Sequence, residues 1–186
     1  EIIKATVTLG SLRDRQDYMI FEGLLSPYVK GDEKPSILYE TALARIKQLS
    51  AHEVGHTLGL RHNFRASTIY SVDQIQDPAF TKVNGLTGSV MDYNALNIAT
   101  KGQKQGEFVM STLGPYDHWA IEYAYKPIQG NPAVELGKIA GRSHTNPLLA
   151  YGTDEEAGFG GAMEGMDPEV NRRDLGGDPM AFYRKR

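Results

Sequence analysis

The pattern of apolar and polar residues divides the first part of the chain into a strand, a short helix and a long helix. Apolar residues alternate with polar ones from Ile2 to Leu9, which is the period of a half-buried strand. The segment from Asp14 to Leu25 predicts a short helix with its larger apolar residues on one side. A polar loop from Lys30 to Lys34 follows. Ile37 to Leu58 contains neither Pro nor Gly before Gly55 and keeps its apolar residues at helical spacing, so it predicts the longest helix.

The second half of the chain carries weaker periodic patterns. Arg65 to Ser89 is predicted to be irregular, with turn signals at Asp77-Pro78 and Asn84-Gly85. Gly114-Pro115 then opens a helix that we expect to span Tyr116 to Tyr125. Beyond this helix we expect no further regular element, because few apolar residues recur at a fixed period.

Composition and charge exclude several classes of protein. The chain is 40% hydrophobic and 23% charged, and its formal net charge is −3, which are ordinary values for a globular protein. There is no basic surface for nucleic acid, and no apolar run approaches the roughly 20 residues that a membrane-spanning helix needs. Because the chain has no cysteine, any metal must be held by His, carboxylate or carbonyl groups.

One short stretch carries the candidate chemistry. It reads His52-Glu53-Val54-Gly55-His56-Thr57-Leu58-Gly59-Leu60-Arg61-His62. Residues four apart on a helix stand above one another, so His52 and His56 can present imidazoles to one ion. Gly59 permits a left-handed turn that ends the helix and lets His62 approach the same ion. Three histidine ligands leave one position of a tetrahedral Zn²⁺ open, which is the arrangement of a catalytic zinc site.

The residue after the first histidine can supply the base. Glu53 can accept the proton of a zinc-activated water and pass it to the leaving amine. A structural zinc site needs the ligands but not this carboxylate, so Glu53 argues against a non-catalytic, zinc-stabilised binding or scaffold module. The predicted function is therefore a general endopeptidase. Two alternatives remain: the zinc-stabilised module, and a peptidase dedicated to self-processing or to one substrate.

The zinc motif and a later methionine motif together resemble the metzincin metallopeptidases. The later motif is Ser89-Val90-Met91-Asp92-Tyr93. Flanking segments extend the resemblance over most of the chain to the exported bacterial Met-zincin proteases: Ile2 to Leu9, Arg13 to Tyr28, Asn63-Phe64 and Gly114 to Ile121. The resemblance implies a zinc endopeptidase with a protein or peptide substrate, exported to the periplasm, the cell surface or the medium.

The resemblance also implies a fold and roles for two residues of the methionine motif. The fold would be α/β (α+β), with a twisted sheet, a long zinc-binding helix, a Met-turn and a C-terminal helix. Met91 would form an apolar floor beneath the imidazoles, a role that suits its polarizable thioether. Tyr93 would either lie near zinc, binding it or hydrogen-bonding the oxyanion, or be a buried tyrosine bonded to the backbone.

A change in composition divides the chain into two parts. We assign residues 1–128 to the zinc catalytic domain. Residues 129–186, rich in glycine and acidic residues, are interpreted as an extension laid over that domain or a lead-in to a further one. The resemblance implies a twisted sheet and a backing helix before the zinc helix, whereas only one predicted strand and one short helix precede it here. We therefore expect the chain to be a fragment that lacks the N-terminal part of the sheet.

Other polar residues have weaker claims to a function. His118 and His144 are interpreted as surface residues, because the zinc already has three ligands. Several carboxylates stand in glycine-rich loops and could suit Ca²⁺: Asp154, Glu155, Glu156, Asp167, Asp174 and Asp178. Their spacing fits no calcium-binding motif, so a solvated loop is the preferred interpretation.

Overall fold

The computed structural model describes residues 2–26, 36–100, 102–158 and 167–184. In chain order their α-helices are α1 (Arg13–Leu25), α2 (Ser36–Thr57), α3 (Val72–Ile75), α4 (Pro78–Asn84), α5 (Pro115–Tyr125), α6 (Pro132–Gly141) and α7 (Pro179–Arg184). Short 3-10 turns lie at Ala66–Thr68, Arg142–His144 and Pro147–Leu149. The predicted loop from Lys30 to Lys34 lies outside the described residues. Within the described part of the chain, no helix is both long and apolar enough to cross a membrane.

The predicted α/β fold with a twisted sheet is wrong for the described residues, which form helices, turns and loops and contain no β-strand. The segment 2–9, predicted as a strand, has no regular structure, and Ile3 is 94% exposed. A strand needs a neighbour to satisfy its backbone N–H and C=O groups. No described segment pairs with residues 2–9, so the alternating pattern is present without a sheet.

Helices α1 and α2 pack against each other around a small apolar cluster. Phe21 and Leu25 of α1 meet Ala42 of α2, and Leu96 and Val109 from the loops complete the cluster. Ala42 is fully buried, and its small side chain allows the two helix backbones to approach closely. Each helix begins one residue before its predicted start, and this packing orients the histidine-bearing end of α2.

A second apolar cluster lies beneath the end of α2 and is built mostly from loop residues. Its buried members are Tyr70, Ile75, Leu86, Val90, Met91, Ala95, Met110, Leu175 and Phe182. The last two belong to the C-terminal part of the chain, and Phe182 lies on α7. Residues 167–184 therefore complete the core that supports the loop 86–95.

Two regions predicted to be irregular contain helices. The side chain of Asp77 accepts a hydrogen bond from the backbone N–H of Ala79 at 3.0 Å and caps α4. Gly85, with a φ of +82°, ends the same helix. Asn131 caps α6 in the same way. The turn signals at Asp77-Pro78 and Asn84-Gly85 thus mark helix boundaries, because Asp favours the N-cap and glycine the C-cap.

Candidate metal centre

The end of α2 presents two imidazoles, and a glycine turn brings a third. His52 and His56 stand one helical turn apart, with ring centroids 4.7 Å from each other. Gly59 donates its N–H to the carbonyl of His56 at 3.0 Å and has a φ of +90°, a conformation that favours glycine. The chain turns back there, and the ring of His62 comes to lie 4.8 Å from His56 and 5.3 Å from His52.

Backbone carbonyl groups fix the tautomer of the two helical histidines. Nδ1 of His52 lies 2.7 Å from the carbonyl oxygen of Val90, and Nδ1 of His56 lies 2.9 Å from that of Leu60. A carbonyl oxygen can only accept, so Nδ1 of each ring carries the proton and donates it. Nε2 is then the nitrogen with a free lone pair, which is the form that binds a metal.

The third histidine is oriented by a carboxylate. Nδ1 of His62 lies 2.9 and 3.1 Å from the two carboxylate oxygens of Asp154. Asn63 holds the segment that carries Asp154, because its side chain donates to the carbonyl of Ala150 at 3.0 Å and accepts from the N–H of Gly152 at 3.2 Å. Such a carboxylate–histidine pair fixes the ring and raises its basicity as a ligand. We interpreted Asp154 from the sequence as a solvated loop residue, and no sequence signal indicates this contact.

The arrangement of the three histidines fits a zinc ion. One ring nitrogen of each of His52, His56 and His62 lies within 4.8 Å of the others. Nε2 of His52 and Nε2 of His62 are buried and have no hydrogen-bond partner, which is costly for a polar atom unless something else binds there. Burial lowers the pKa of His52, and the two neighbouring histidines lower it further, so that the neutral ring is favoured. These three residues would hold zinc and leave one position open.

Met91 lies directly beneath the histidine-bearing turn of α2. Its side chain is fully buried. A Cβ atom added to Gly55, which stands between His52 and His56, would lie 2.3 Å from Sδ of Met91. The thioether therefore packs against the helix backbone itself, at a place where only glycine leaves enough room.

A buried carboxylate fixes the loop that contains Met91. Asp117, in the first turn of α5, accepts hydrogen bonds from the hydroxyl of Ser89 at 2.5 Å, from the N–H of Val90 at 2.9 Å and from the N–H of Gly114 at 2.8 Å. The carbonyl of Val90 accepts from His52, so Asp117 supports that histidine through a single residue. Asp117 has no sequence signal that predicts this role.

Glu53 and Tyr93 line one cavity of about 620 Å³ together with His52. The ring of Tyr93 stacks on His52 at 5.4 Å and lies 4.6 Å from His62. Its hydroxyl has no hydrogen bond to any described residue, which does not fit a tyrosine bonded to the backbone. Burial raises the pKa of Tyr93, and the negative charges of Asp154 and Glu53 raise it further, so the phenol keeps its proton.

The remaining polar residues of interest lie apart from the metal centre. His118 on α5 and His144 in a 3-10 turn are exposed, and neither belongs to the histidine cluster. Glu155 forms an exposed ion pair with Arg61 at 2.8 Å. Asp167 pairs with Arg65 at 2.8 Å. These two carboxylates bind arginines of the chain.

A three-histidine cluster with a glycine turn and a buried methionine packed against the same helix is the pattern of zinc metallopeptidase-like domains. A family model described as Met-zincin matches residues 34–186, which is most of the chain. The protein therefore belongs to the Met-zincin family, and this family implies zinc as the metal. No curated protein and no solved structure gives a significant match.

Proposed function

We propose that this protein is a zinc-dependent endopeptidase in which Glu53 acts as the general base. One observation carries the proposal. Three imidazoles, each held through Nδ1, bring one ring nitrogen apiece within 4.8 Å of the others, and the carboxylate of Glu53 lines one cavity with His52. A site built only for stability needs the ligands but has no use for that carboxylate.

Glu53 and Tyr93 have different roles in the proposed reaction. Zinc, when bound, lowers the pKa of a water molecule and polarises the scissile carbonyl. Glu53 accepts the proton of the attacking water and delivers it to the leaving amine. Tyr93 donates its phenol hydrogen to the oxyanion that develops on the substrate. The protein or peptide substrate occupies the cavity beside these two groups.

Replacement of the base tests the proposal. Glu53→Gln should retain zinc, because every ligand remains, and should lose peptide hydrolysis by about 10²–10⁴-fold, the usual contribution of a general base. Glu40→Gln is the matched control, since Glu40 lies on the same helix and is exposed. Both variants and the unmodified chain are compared at equal zinc content, by kcat/KM on quenched fluorescent peptides.

Two outcomes would contradict the proposal. Turnover by Glu53→Gln equal to that of Glu40→Gln would remove Glu53 from the mechanism. A zinc-loaded, unmodified chain that binds peptides but hydrolyses none would instead favour the zinc-stabilised binding module.

A further inference from the structure

The cavity that contains Glu53 and Tyr93 continues into the space between α1 and α2. Its wall includes Arg13 and Ile20 of α1, and Arg45 and Leu49 of α2. Arg173, from the C-terminal part of the chain, also lines it. A substrate whose scissile bond lies beside Glu53 would therefore also contact these side chains.

Two of the three arginines that line this cavity are not neutralised by an ion pair. Nε of Arg13 lies 3.1 Å from the carboxylate of Asp17. Arg45 donates instead to the neutral side-chain oxygen of Gln48 at 2.8 Å. Among the described residues, neither Arg45 nor Arg173 forms an ion pair within 4.0 Å. The cavity therefore has two guanidinium charges available to a bound group.

These charges act on one another. Burial lowers the pKa of Arg45, the charge of Asp17 opposes this effect, and repulsion from Arg13 and Arg173 lowers the pKa further. A negative group bound among the guanidinium groups would relieve that repulsion. The whole chain carries a net charge of −3, so the positive potential belongs to this cavity and not to the protein surface as a whole.

The acidic residues of the wall compensate the arginine charges only in part. Asp17 is already bound to Arg13. Asp92 also lines the cavity, but burial and the neighbouring Asp174 raise the pKa of Asp92 well above its ordinary value, which favours the neutral acid. The remaining carboxylate is that of Glu53, which the proposed mechanism uses as the base.

We infer that this cavity binds a carboxylate of the substrate, so that the peptidase prefers an acidic residue close to the scissile bond. The inference rests on the proposed function and names its substrate class. Guanidinium groups present paired N–H donors that match the two oxygens of a carboxylate. That carboxylate can come from an Asp or Glu side chain or from the free C-terminus of a peptide.

Paired peptides test the inference. Blocked fluorogenic peptides carry either Glu or Gln at one position, which is moved along the sequence, and a second series ends in a free carboxylate or an amide. We expect kcat/KM to be about tenfold or more higher for the carboxylate at one position, as for a charge-assisted hydrogen bond. Added salt should reduce the ratio. A preference confined to the free C-terminus would identify the terminus as the source of the carboxylate.

Arginine variants assign the preference to the cavity. The ratio should fall toward one in Arg45→Gln and in Arg173→Gln at full zinc content. Arg15→Gln is the matched control and should keep the ratio, because Arg15 lies on α1, is exposed and does not line the cavity. If Arg45→Gln fails to fold, Arg173→Gln decides the question, since Arg173 is exposed.

Binding measurements separate this inference from the proposed function. Peptide affinity is measured by fluorescence anisotropy with zinc-loaded Glu53→Gln. Preferential binding of the carboxylate peptides, without hydrolysis by the unmodified chain, would keep the inference and overturn the proposed function. Hydrolysis with equal kcat/KM for both members of every pair would overturn the inference and keep the function. A preference unchanged in both arginine variants would also overturn the inference.

Discussion

At the scale of single residues, the metal centre depends on what binds the Nδ1 atom of each histidine. Two of these atoms donate to carbonyl groups of the backbone, which side-chain substitutions leave in place. The third faces the side chain of Asp154. A substitution of Asp154 can therefore alter the orientation of His62 while the histidine itself remains in place.

Replacement of Asp154 should weaken zinc binding. Asp154→Ala removes the acceptor that fixes His62, and loss of such a partner typically costs about 10–100-fold in metal affinity. Asp154→Asn should cost less, because its amide oxygen can still accept from Nδ1. Competition with a chromophoric chelator measures the zinc affinity. Glu155→Gln, at the adjacent position, serves as the control. A zinc affinity of Asp154→Ala equal to that of this control would show that His62 does not need the carboxylate of Asp154.

The sequence predicted those parts of the site whose residues lie close together along the chain. His52, His56 and Gly59 are related by helical periodicity and by the conformational freedom of glycine, so the local sequence brings them together. Asp154 is 92 residues away from His62, and no local period connects them. A contact of that kind depends on tertiary packing, here on the amide of Asn63.

At the scale of elements, α5 holds the methionine loop under α2. The connection is the carboxylate of Asp117, which is 3% exposed and accepts three hydrogen bonds from Ser89, Val90 and Gly114. Because a methionine loop and a helix that begins with Gly-Pro both have sequence signals, each element was predicted. The hydrogen bonds between them were not, since neither signal specifies a partner.

Removal of this connection should destabilise the protein and loosen the zinc site together. Asp117→Ala leaves three buried donors without an acceptor, which we expect to lower the free energy of unfolding by about 2–4 kcal/mol. Zinc affinity should fall too, because Val90 positions His52. Denaturant unfolding and chelator competition measure the two effects. Asp73→Ala is the control, since Asp73 is exposed in the first turn of α3. An unchanged zinc affinity in Asp117→Ala would show that α5 does not support the zinc site.

The predicted sheet shows where periodicity alone is insufficient. Alternation from Ile2 to Leu9 states which side chains would share a face, but a sheet also requires a second strand, and the described residues offer none. Helices satisfy their own backbone groups, so α1 and α2 could be predicted from local sequence.

At the scale of the whole molecule, two buried carboxylates connect the methionine loop to the C-terminal segment. Asp92 is 2% exposed and Asp174 is fully buried, and both carboxylates lie near the side chain of Ser67. Burial raises the pKa of Asp174 to about 6. The folded protein thus favours the protonated acid, and ionisation of this pair should weaken the packing of residues 167–184 on the domain.

The pH dependence of stability should report this pair. A carboxyl group with a raised pKa contributes its full stability below its unfolded pKa of about 3.9, and that stability is lost as pH rises through about 6. Asp174→Asn should therefore be more stable than the unmodified chain above that pH, by about 3 kcal/mol. Below about pH 4 the difference should vanish. Unfolding is compared at equal metal content, with the exposed Asp178→Asn as control. A constant difference at all pH values would contradict this account.

X-ray absorption at the zinc edge of the zinc-loaded protein counts the ligands of the metal and so decides whether the centre is an open three-histidine site. We expect three imidazole nitrogens and one oxygen at about 2.0–2.1 Å from zinc, with no fourth protein ligand. His62→Ala should remove one imidazole from that shell, while Glu53→Gln should leave it unchanged. A shell with two imidazoles in the unmodified chain, or one closed by a fourth protein side chain, would contradict the assignment of an open three-histidine zinc centre.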